Sequence, residues 1–183
     1  MASPDFTPLT GSCPCGQTTY TLLSSPLITH CCHCTYCQSE TGSAFALNAL
    51  IESYNFSLTS STQPLLAHRP SPSAPDGSKH LVAYCPNKEC NTDVYSFYEG
   101  NKSMVFVKVG TLDAGSRGRV RPDVHIFASE KADWMDLSGE VKRGVKVYEG
   151  FYEHEDVWSK ESLERRAKLR AWRAQQMEVG EAV

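Results

Sequence analysis

The chain has 183 residues, of which 40% are hydrophobic and 21% are charged, and its formal net charge is -3 at pH 7. This length suits one domain with a real hydrophobic core, so metal ions are not required merely to stabilise a small chain. The slight negative charge gives no basic field for nucleic acid, and no apolar run approaches the roughly 20 residues that cross a bilayer. We therefore expect no nucleic-acid partner and no membrane partner.

Segments rich in β-forming residues recur along most of the chain, with turn signals between them. The predicted strands are Gln17–Leu23, Ser43–Ile51, His80–Tyr84, Val94–Tyr98, Met104–Val109 and Val124–Ala128. Between Ser60 and Ser78, four prolines, a glycine and several serines interrupt every periodic pattern, which predicts an exposed loop. The sequence thus indicates a mainly β fold.

The C-terminal segment changes character and predicts a helix over Asp156–Trp172, with Ser159 or Ser162 as the capping residue. We divide the chain into a β domain, residues 1–152, and a helical tail, residues 153–183. The tail carries a basic run formed by Arg165, Arg166, Lys168, Arg170 and Arg173. Glutamates interleave with this run, so a solvated helix face is favoured over a surface for nucleic acid.

Seven of the eight cysteines lie in three groups: Cys13 with Cys15, then Cys32, Cys34 and Cys37, then Cys85 with Cys90. The spacing within each group is too short for ordinary disulfide geometry, and the N-terminus lacks a signal-peptide pattern. We therefore expect a reducing compartment, the cytoplasm, and thiolate ligands for zinc.

The spacing alone leaves two ways to divide the cysteines. One is a single site made of Cys34, Cys37, Cys85 and Cys90. The other is a closed four-thiolate site made of Cys13, Cys15, Cys85 and Cys90, with Cys32, Cys34 and Cys37 holding a second ion. The second division uses more of the cysteines. Three thiolates leave one coordination position open, and catalytic zinc sites keep such an open position.

Several motifs occur in a fixed order: Cys13-x-Cys15-Gly16, Cys32-x-Cys34-x-x-Cys37, Cys85-Pro86-Asn87 before Cys90, Val109-Gly110-Thr111-Leu112-Asp113, and His125-Ile126-Phe127 ahead of Trp134. In this set of motifs, over about residues 11–137, the chain resembles the glutathione-dependent formaldehyde-activating enzyme family, which includes centromere protein V-like proteins. The resemblance implies a zinc-binding β-tent-like fold of small antiparallel sheets with two zinc ions per chain. By the same resemblance, Cys13, Cys15, Cys85 and Cys90 hold a structural zinc, and Cys32, Cys34 and Cys37 hold a catalytic zinc.

The resemblance also implies an activity: a carbon-sulfur lyase that acts on a small electrophile or aldehyde, with glutathione as a co-substrate. Two alternatives stay open. One is a zinc-dependent lyase or dehydratase in small-molecule biosynthesis. The other is a zinc-stabilised binding module without turnover. A small-molecule substrate is the expected partner, and assembly into a homo-oligomer is left open.

Some residues depart from the family pattern or have no assigned role. The family's last cysteine pair is usually Cys-x-x-Cys-Gly, whereas two extra residues separate Cys85 from Cys90 and no glycine follows. The remaining thiol, Cys31, is interpreted as a small buried hydrophobe in preference to a metal ligand or a redox thiol. His30 and His33 are considered as a fourth ligand of the second zinc, and His125 as a core histidine or a pocket acid/base. Trp134 is predicted to line the core or a pocket.

Overall fold

The computed structural model describes residues 6–71 and 79–179. Within these ranges the strands are β1 (Leu9–Ser12), β2 (Thr19–Leu22), β3 (Ile28–Cys32), β4 (Ala46–Glu52), β5 (Phe56–Leu58), β6 (Leu65–His68), β7 (His80–Tyr84), β8 (Asp93–Tyr98), β9 (Asn101–Lys108), β10 (Val124–Ile126) and β11 (Lys146–Val147). The α-helices are α1 (Thr35–Thr41), α2 (Ala114–Arg117), α3 (Ser138–Lys142), α4 (His154–Val157) and α5 (Lys160–Val179). Short 3-10 helices cover Ser53–Asn55, Val109–Thr111 and Ala128–Glu130. No helix in the described ranges has the length and apolar character needed to cross a membrane.

The strands form two sheets. A small antiparallel sheet has the order β1-β2-β5, and a larger sheet has the order β11-β10-β3-β4-β9-β8-β7-β6. The predicted mainly β fold with a C-terminal helix is confirmed. The larger sheet is mixed, because β10 pairs in parallel with both β3 and β11. Parallel strands need a long connection between them, and β3 and β10 are indeed far apart in the sequence.

One hydrophobic core joins the two sheets. Its buried aliphatic and aromatic members come from both of them: Leu9, Tyr20, Leu22, Ala49, Ile51, Val94, Tyr95, Val105 and Val107. In β9 the buried Val105 and Val107 alternate with the half-buried Met104 and Phe106, as expected for a strand with two different faces. The core also contains Cys13 and Cys85.

A second core cluster packs the C-terminal segment onto the larger sheet. Tyr152 and Trp158 lie in it together with Ile28 of β3, Leu50 of β4 and Ile126 of β10. Residues on both sides of position 152 therefore share one set of buried contacts. The division into residues 1–152 and 153–183 stays a prediction.

Helix α5 is fixed to the sheet by polar contacts as well as by packing. Its cap is Ser159, whose hydroxyl accepts a hydrogen bond from the Ser162 backbone N–H at 3.1 Å. The Ser162 hydroxyl donates to the Leu27 carbonyl at 2.7 Å. The guanidinium of Arg165 donates to both carboxylate oxygens of Glu52, at 2.8 and 2.6 Å. The prediction that the whole basic run is solvated is therefore wrong at Arg165, because this side chain neutralises a carboxylate that is 1% exposed.

Two further predictions differ from the structure. The proline-rich segment predicted as a loop contains β6, which pairs with β7 at the edge of the larger sheet, while residues 72–78 of that prediction lie outside the described residues. Prolines flank β6 but do not interrupt it, so its backbone can still pair. Trp134, predicted to be in the core or a pocket wall, is 76% exposed.

Replacing Arg165 by alanine should destabilise the fold by about 3 kcal/mol, because it leaves the buried Glu52 carboxylate without a partner. Burial raises the pKa of this carboxyl, but hydrogen bonds from Arg165, a backbone N–H and Asn55, together with the charge of Arg165, outweigh burial and hold the pKa below its usual range. The pair therefore stabilises the protein above the ordinary glutamate pKa of about 4.3, and this contribution is lost as the pH falls through the lowered value. The measurement is urea unfolding at neutral and acidic pH.

The matched control is Lys168→Ala, which removes an exposed cation from the same helix. A loss at neutral pH that is equal for the two variants would contradict the role of the Arg165–Glu52 pair.

Candidate metal centres

The structure brings Cys13, Cys15, Cys85 and Cys90 together, with their four Sγ atoms within 4.8 Å of one another. The Sγ atoms of Cys13 and Cys15 are 3.4 Å apart, those of Cys13 and Cys85 are also 3.4 Å apart, and those of Cys15 and Cys85 are 3.5 Å apart. Zinc bonds of about 2.3 Å in a tetrahedron separate sulfur atoms by roughly 3.8 Å. The donor type and the spacing therefore fit a four-thiolate zinc site, which we call the closed cluster.

Tight backbone turns carry the first two cysteines of the closed cluster. Gly16 has φ 76°, and its N–H donates to the Cys13 carbonyl at 2.9 Å. A residue with a Cβ is strained at this positive φ, which accounts for a glycine directly after Cys15. The Thr18 N–H then donates to the Cys13 sulfur at 3.3 Å, so the backbone also stabilises a thiolate at this position.

The longer loop between Cys85 and Cys90 closes around Asn87 instead of a glycine turn. The Asn87 carbonyl accepts from the N–H groups of Cys90 and Asn91, at 3.0 and 2.8 Å. Asn91 has φ 46°, and asparagine tolerates this left-handed conformation better than most residues. The two extra residues are thus absorbed in one compact turn, and Asn91 stands where the family pattern has glycine.

Cys32, Cys34 and Cys37 form a separate group of thiols within 4.8 Å of one another, which we call the open cluster. Cys32 ends β3, and Cys34 is the residue that caps α1. The sulfur of Cys34 lies 3.4 Å from the Cys32 sulfur and accepts from the Cys37 backbone N–H at 3.4 Å. Hydrogen bonds from the Cys32 and Cys37 thiols, with this N–H, lower the pKa of Cys34. Three sulfurs of this spacing fit zinc with one coordination position left for another ligand.

The open cluster lines a cavity of about 410 Å³. The rest of its wall is largely apolar and includes Met104, Phe106, Ile126, Phe127, Phe151 and Trp158. A volume of this order accommodates a small molecule. The apolar wall and the adjacent thiols form a pocket in which an electrophilic group could meet a metal-bound ligand.

Neither histidine considered as a fourth ligand belongs to the open cluster. The Nε2 atom of His30 lies 2.5 Å from the Tyr152 hydroxyl, which also accepts from the Trp158 indole N–H at 2.8 Å. Burial lowers the pKa of His30 to about 3, so its ring is neutral at physiological pH. His33 points to the opposite face of the strand, beside Cys31 and His125.

A polar chain that the sequence did not indicate leads away from the cavity. The hydroxyl of Tyr36, which lines the cavity, lies 2.8 Å from His80 Nδ1, and the His80 ring stacks on Tyr98. The Nε2 atom of His80 lies 3.6 Å from Glu40, whose other oxygen accepts from Lys108 at 2.9 Å. Burial lowers the pKa of His80, an effect that the charge of Glu40 opposes. Among the residues of this chain, only Tyr36 could have been singled out from the sequence, because it lies inside the Cys34-x-x-Cys37 motif.

The structure defines a mainly β protein in which one closed and one open cysteine cluster are suited to metal ions. The chain belongs to the glutathione-dependent formaldehyde-activating enzyme family, which it matches over residues 8–130. A crystal structure of a Rhodobacter sphaeroides protein is similar, with a TM-score of 0.41 and 15% identity, over 62% of this chain and 91% of that chain. No curated protein matches the sequence.

Replacing Cys15 by serine should remove one zinc ion per chain and lower the free energy of unfolding by several kcal/mol, because metal binding at a closed site contributes directly to folding. Cys15 is exposed, so this loss cannot come from core packing. The measurements are metal content by elemental analysis and urea unfolding.

The control is Gln17→Ser, at an exposed position two residues further on. Equal zinc content and equal stability in the two variants would show that the closed cluster does not hold a structural ion.

Proposed function

We propose that the protein is a zinc enzyme that forms or breaks a carbon–sulfur bond between a thiol and a small aldehyde or related electrophile. The observation that carries this proposal is the position of the open cluster, whose three thiols line an apolar cavity. The family's description names a thiol, glutathione, and an aldehyde, formaldehyde. The eight free cysteines also suit a reducing compartment, and we propose the cytoplasm.

Cys32, Cys34 and Cys37 would hold the catalytic zinc, and Cys13, Cys15, Cys85 and Cys90 a structural zinc. The fit of the open cluster rests on its three soft sulfur donors, which lie within 4.8 Å of one another. When bound there, zinc supplies an open coordination position that lowers the pKa of a thiol or polarises a carbonyl oxygen.

In the proposed reaction the thiol loses its proton, sulfur adds to the carbonyl carbon, and the carbonyl oxygen gains a proton. The product is an S-hydroxyalkyl adduct, and the reverse direction is a lyase reaction. Tyr36 is the proton donor that we assign to the carbonyl oxygen. Burial raises the pKa of its hydroxyl, and the charge of Glu40 adds to the effect, so the hydroxyl stays protonated at neutral pH.

His80 positions Tyr36 in this scheme. The distance of 2.8 Å between the Tyr36 hydroxyl and His80 Nδ1 fixes the direction of the phenol, and stacking on Tyr98 fixes the imidazole. Glu40 and Lys108 complete the chain on the far side of the ring. A proton lost by Tyr36 can be replaced through His80, since a neutral imidazole can give up the proton on one ring nitrogen while the other nitrogen accepts one.

The apolar wall favours an electrophile with a hydrophobic substituent over formaldehyde alone. Phe106, Phe127 and Phe151 line the cavity, and its volume of about 410 Å³ far exceeds that of a single carbonyl group. The first assay is exchange NMR on mixtures of a thiol and an aldehyde, which reports how fast the adduct forms and breaks. The assay tests specificity for the thiol with glutathione and cysteine, and specificity for the aldehyde with formaldehyde and benzaldehyde. No acceleration for any pair would contradict the proposed function.

Replacing Cys34 by serine should remove one zinc ion per chain and abolish adduct exchange, while the protein stays folded because the closed cluster is intact. The readouts are elemental analysis, circular dichroism and exchange NMR. Ser39→Ala serves as the control, because Ser39 is an exposed residue of the same helix. Unfolding of the Cys34 variant, or full exchange activity without the second zinc, would contradict the assignment.

Replacing Tyr36 by phenylalanine should lower the turnover number about 100-fold, the usual contribution of one proton-transferring side chain, without changing the zinc content. Tyr54→Phe is the control, since Tyr54 is exposed and contacts Trp172 of α5. Turnover equal to that of the control variant would remove Tyr36 from the mechanism.

A further inference from the structure

A third group of metal-ligand residues lies on the opposite face of the larger sheet from the cavity. Successive side chains of a strand point to opposite faces, so His30 and Cys32 line the cavity while Cys31 points away from it. The chain continues beyond β3 with the His33 N–H donating to the Ile126 carbonyl at 3.0 Å. This places His33 on the same side as Cys31.

Strand β10 contributes the third residue of this group. It runs parallel to β3 with His125 in register with Cys31, so both side chains stand on the same face of adjacent strands. The neighbouring Ile126 lines the cavity on the other face. The group therefore depends on a parallel strand pair that joins distant parts of the chain.

The distances within the group match those between ligands of one ion. The Nε2 atom of His33 lies 2.9 Å from His125 Nδ1 and 3.7 Å from the Cys31 sulfur, and the three donor atoms lie within 4.8 Å of one another. Tetrahedral zinc with bonds of about 2.0 Å to nitrogen and 2.3 Å to sulfur separates two nitrogens by roughly 3.3 Å, and nitrogen from sulfur by roughly 3.6 Å. Both distances from His33 therefore lie within a few tenths of an ångström of those expected for two ligands of one zinc ion.

All three side chains are nearly inaccessible to water: Cys31 is 2% exposed, His33 0% and His125 4%. Burying one thiol and two imidazoles together is costly unless their polar atoms are satisfied. The contact between His33 and His125 uses one nitrogen of each ring, and the His33 nitrogen in this contact is also the one that lies 3.7 Å from the Cys31 sulfur. A bound cation would replace this contact and take a lone pair from each of the three side chains, while His33 Nδ1 and His125 Nε2, which have no hydrogen-bond partner among the described residues, stay free for other partners.

A carboxylate lies behind one of these rings. The Nε2 atom of His125, the ring nitrogen that does not contact His33, lies 3.6 Å from Glu140 of α3, and Glu140 is paired with Arg143. Histidines that bind metal commonly donate their second ring N–H to a carboxylate, which fixes the tautomer and the orientation of the ring. At 3.6 Å this pair is longer than a hydrogen bond, and a small shift of the Glu140 side chain would let it take that role, with Nδ1 left as the ligand atom.

We propose that Cys31, His33 and His125 bind a third metal ion, with zinc as the ion that their sulfur and nitrogen donors fit best. The ion would tie β3 to β10 directly behind the cavity. It would thereby hold Cys32 and Ile126, the next residues of the two strands, in place on the cavity side. The interpretation of Cys31 as only a small buried hydrophobe, and of His125 as only a core or pocket residue, then changes.

Native mass spectrometry of the full chain loaded with zinc tests the proposal without any activity measurement. We expect three ions per chain in the wild type and two in both Cys31→Ser and His125→Ala. His68→Ala should keep three, because His68 lies on β6, outside every cluster. A wild type that saturates at two ions, with unchanged stoichiometry in the two variants, would overturn the proposal and leave a hydrogen-bonded histidine pair.

A measurement on the wild type covers the case in which the variants do not fold. Cadmium NMR of the cadmium-loaded protein should show three resonances, one each for four-sulfur, three-sulfur and mixed sulfur–nitrogen coordination. Two resonances, both from sulfur-only sites, would overturn the proposal. Failure of the proposed enzyme activity would leave both of these readouts unchanged.

Discussion

The parallel pairing of β10 with β3 is the constraint on which the rest of the site depends. It sets Val124, His125 and Ile126 opposite His30, Cys31 and Cys32. Because strand side chains alternate between faces, this single register creates the cavity on one face and the buried cysteine–histidine group on the other. A slip of one residue would exchange the two faces and destroy both sites together.

The two cysteine clusters lie in different surroundings, which is why we propose different tasks for them. The closed cluster contains two cysteines of the main core, Cys13 and Cys85, and joins the loop after β1 to the loop after β7. Saturation by four thiolates leaves an ion there no position for a substrate. The open cluster lies at the start of α1, beside the cavity and Tyr36. We therefore propose that the closed cluster stabilises the fold and that the open cluster carries out the reaction.

The sequence predicts which cysteines lie together but says little about what surrounds them. Short cysteine spacings indicate chelating groups but leave two ways to combine them, and the family resemblance implies the combination that the structure shows. The β-forming segments reveal most central strands. The Tyr36–His80 contact brings together residues that are distant in the chain, and nothing in the local pattern of His80 distinguishes a relay from a core histidine. Arg165 is a second example. Nothing in the pattern of the basic helical run shows which of its residues binds the buried Glu52. Likewise, the sequence does not show which side chains of β3 face the cavity and which face the buried cysteine–histidine group until β10 is known to be the neighbouring strand.

The measurement that tests the central claim most directly is stepwise removal of zinc by a chelator, with metal content, circular dichroism and adduct-exchange rate recorded on the same samples. We predict that exchange activity disappears with the loss of the open cluster's zinc ion while the fold and the ion of the closed cluster remain. Activity that persists after the open cluster has lost its ion, or that disappears only when the protein unfolds, would contradict an open catalytic site at Cys32, Cys34 and Cys37.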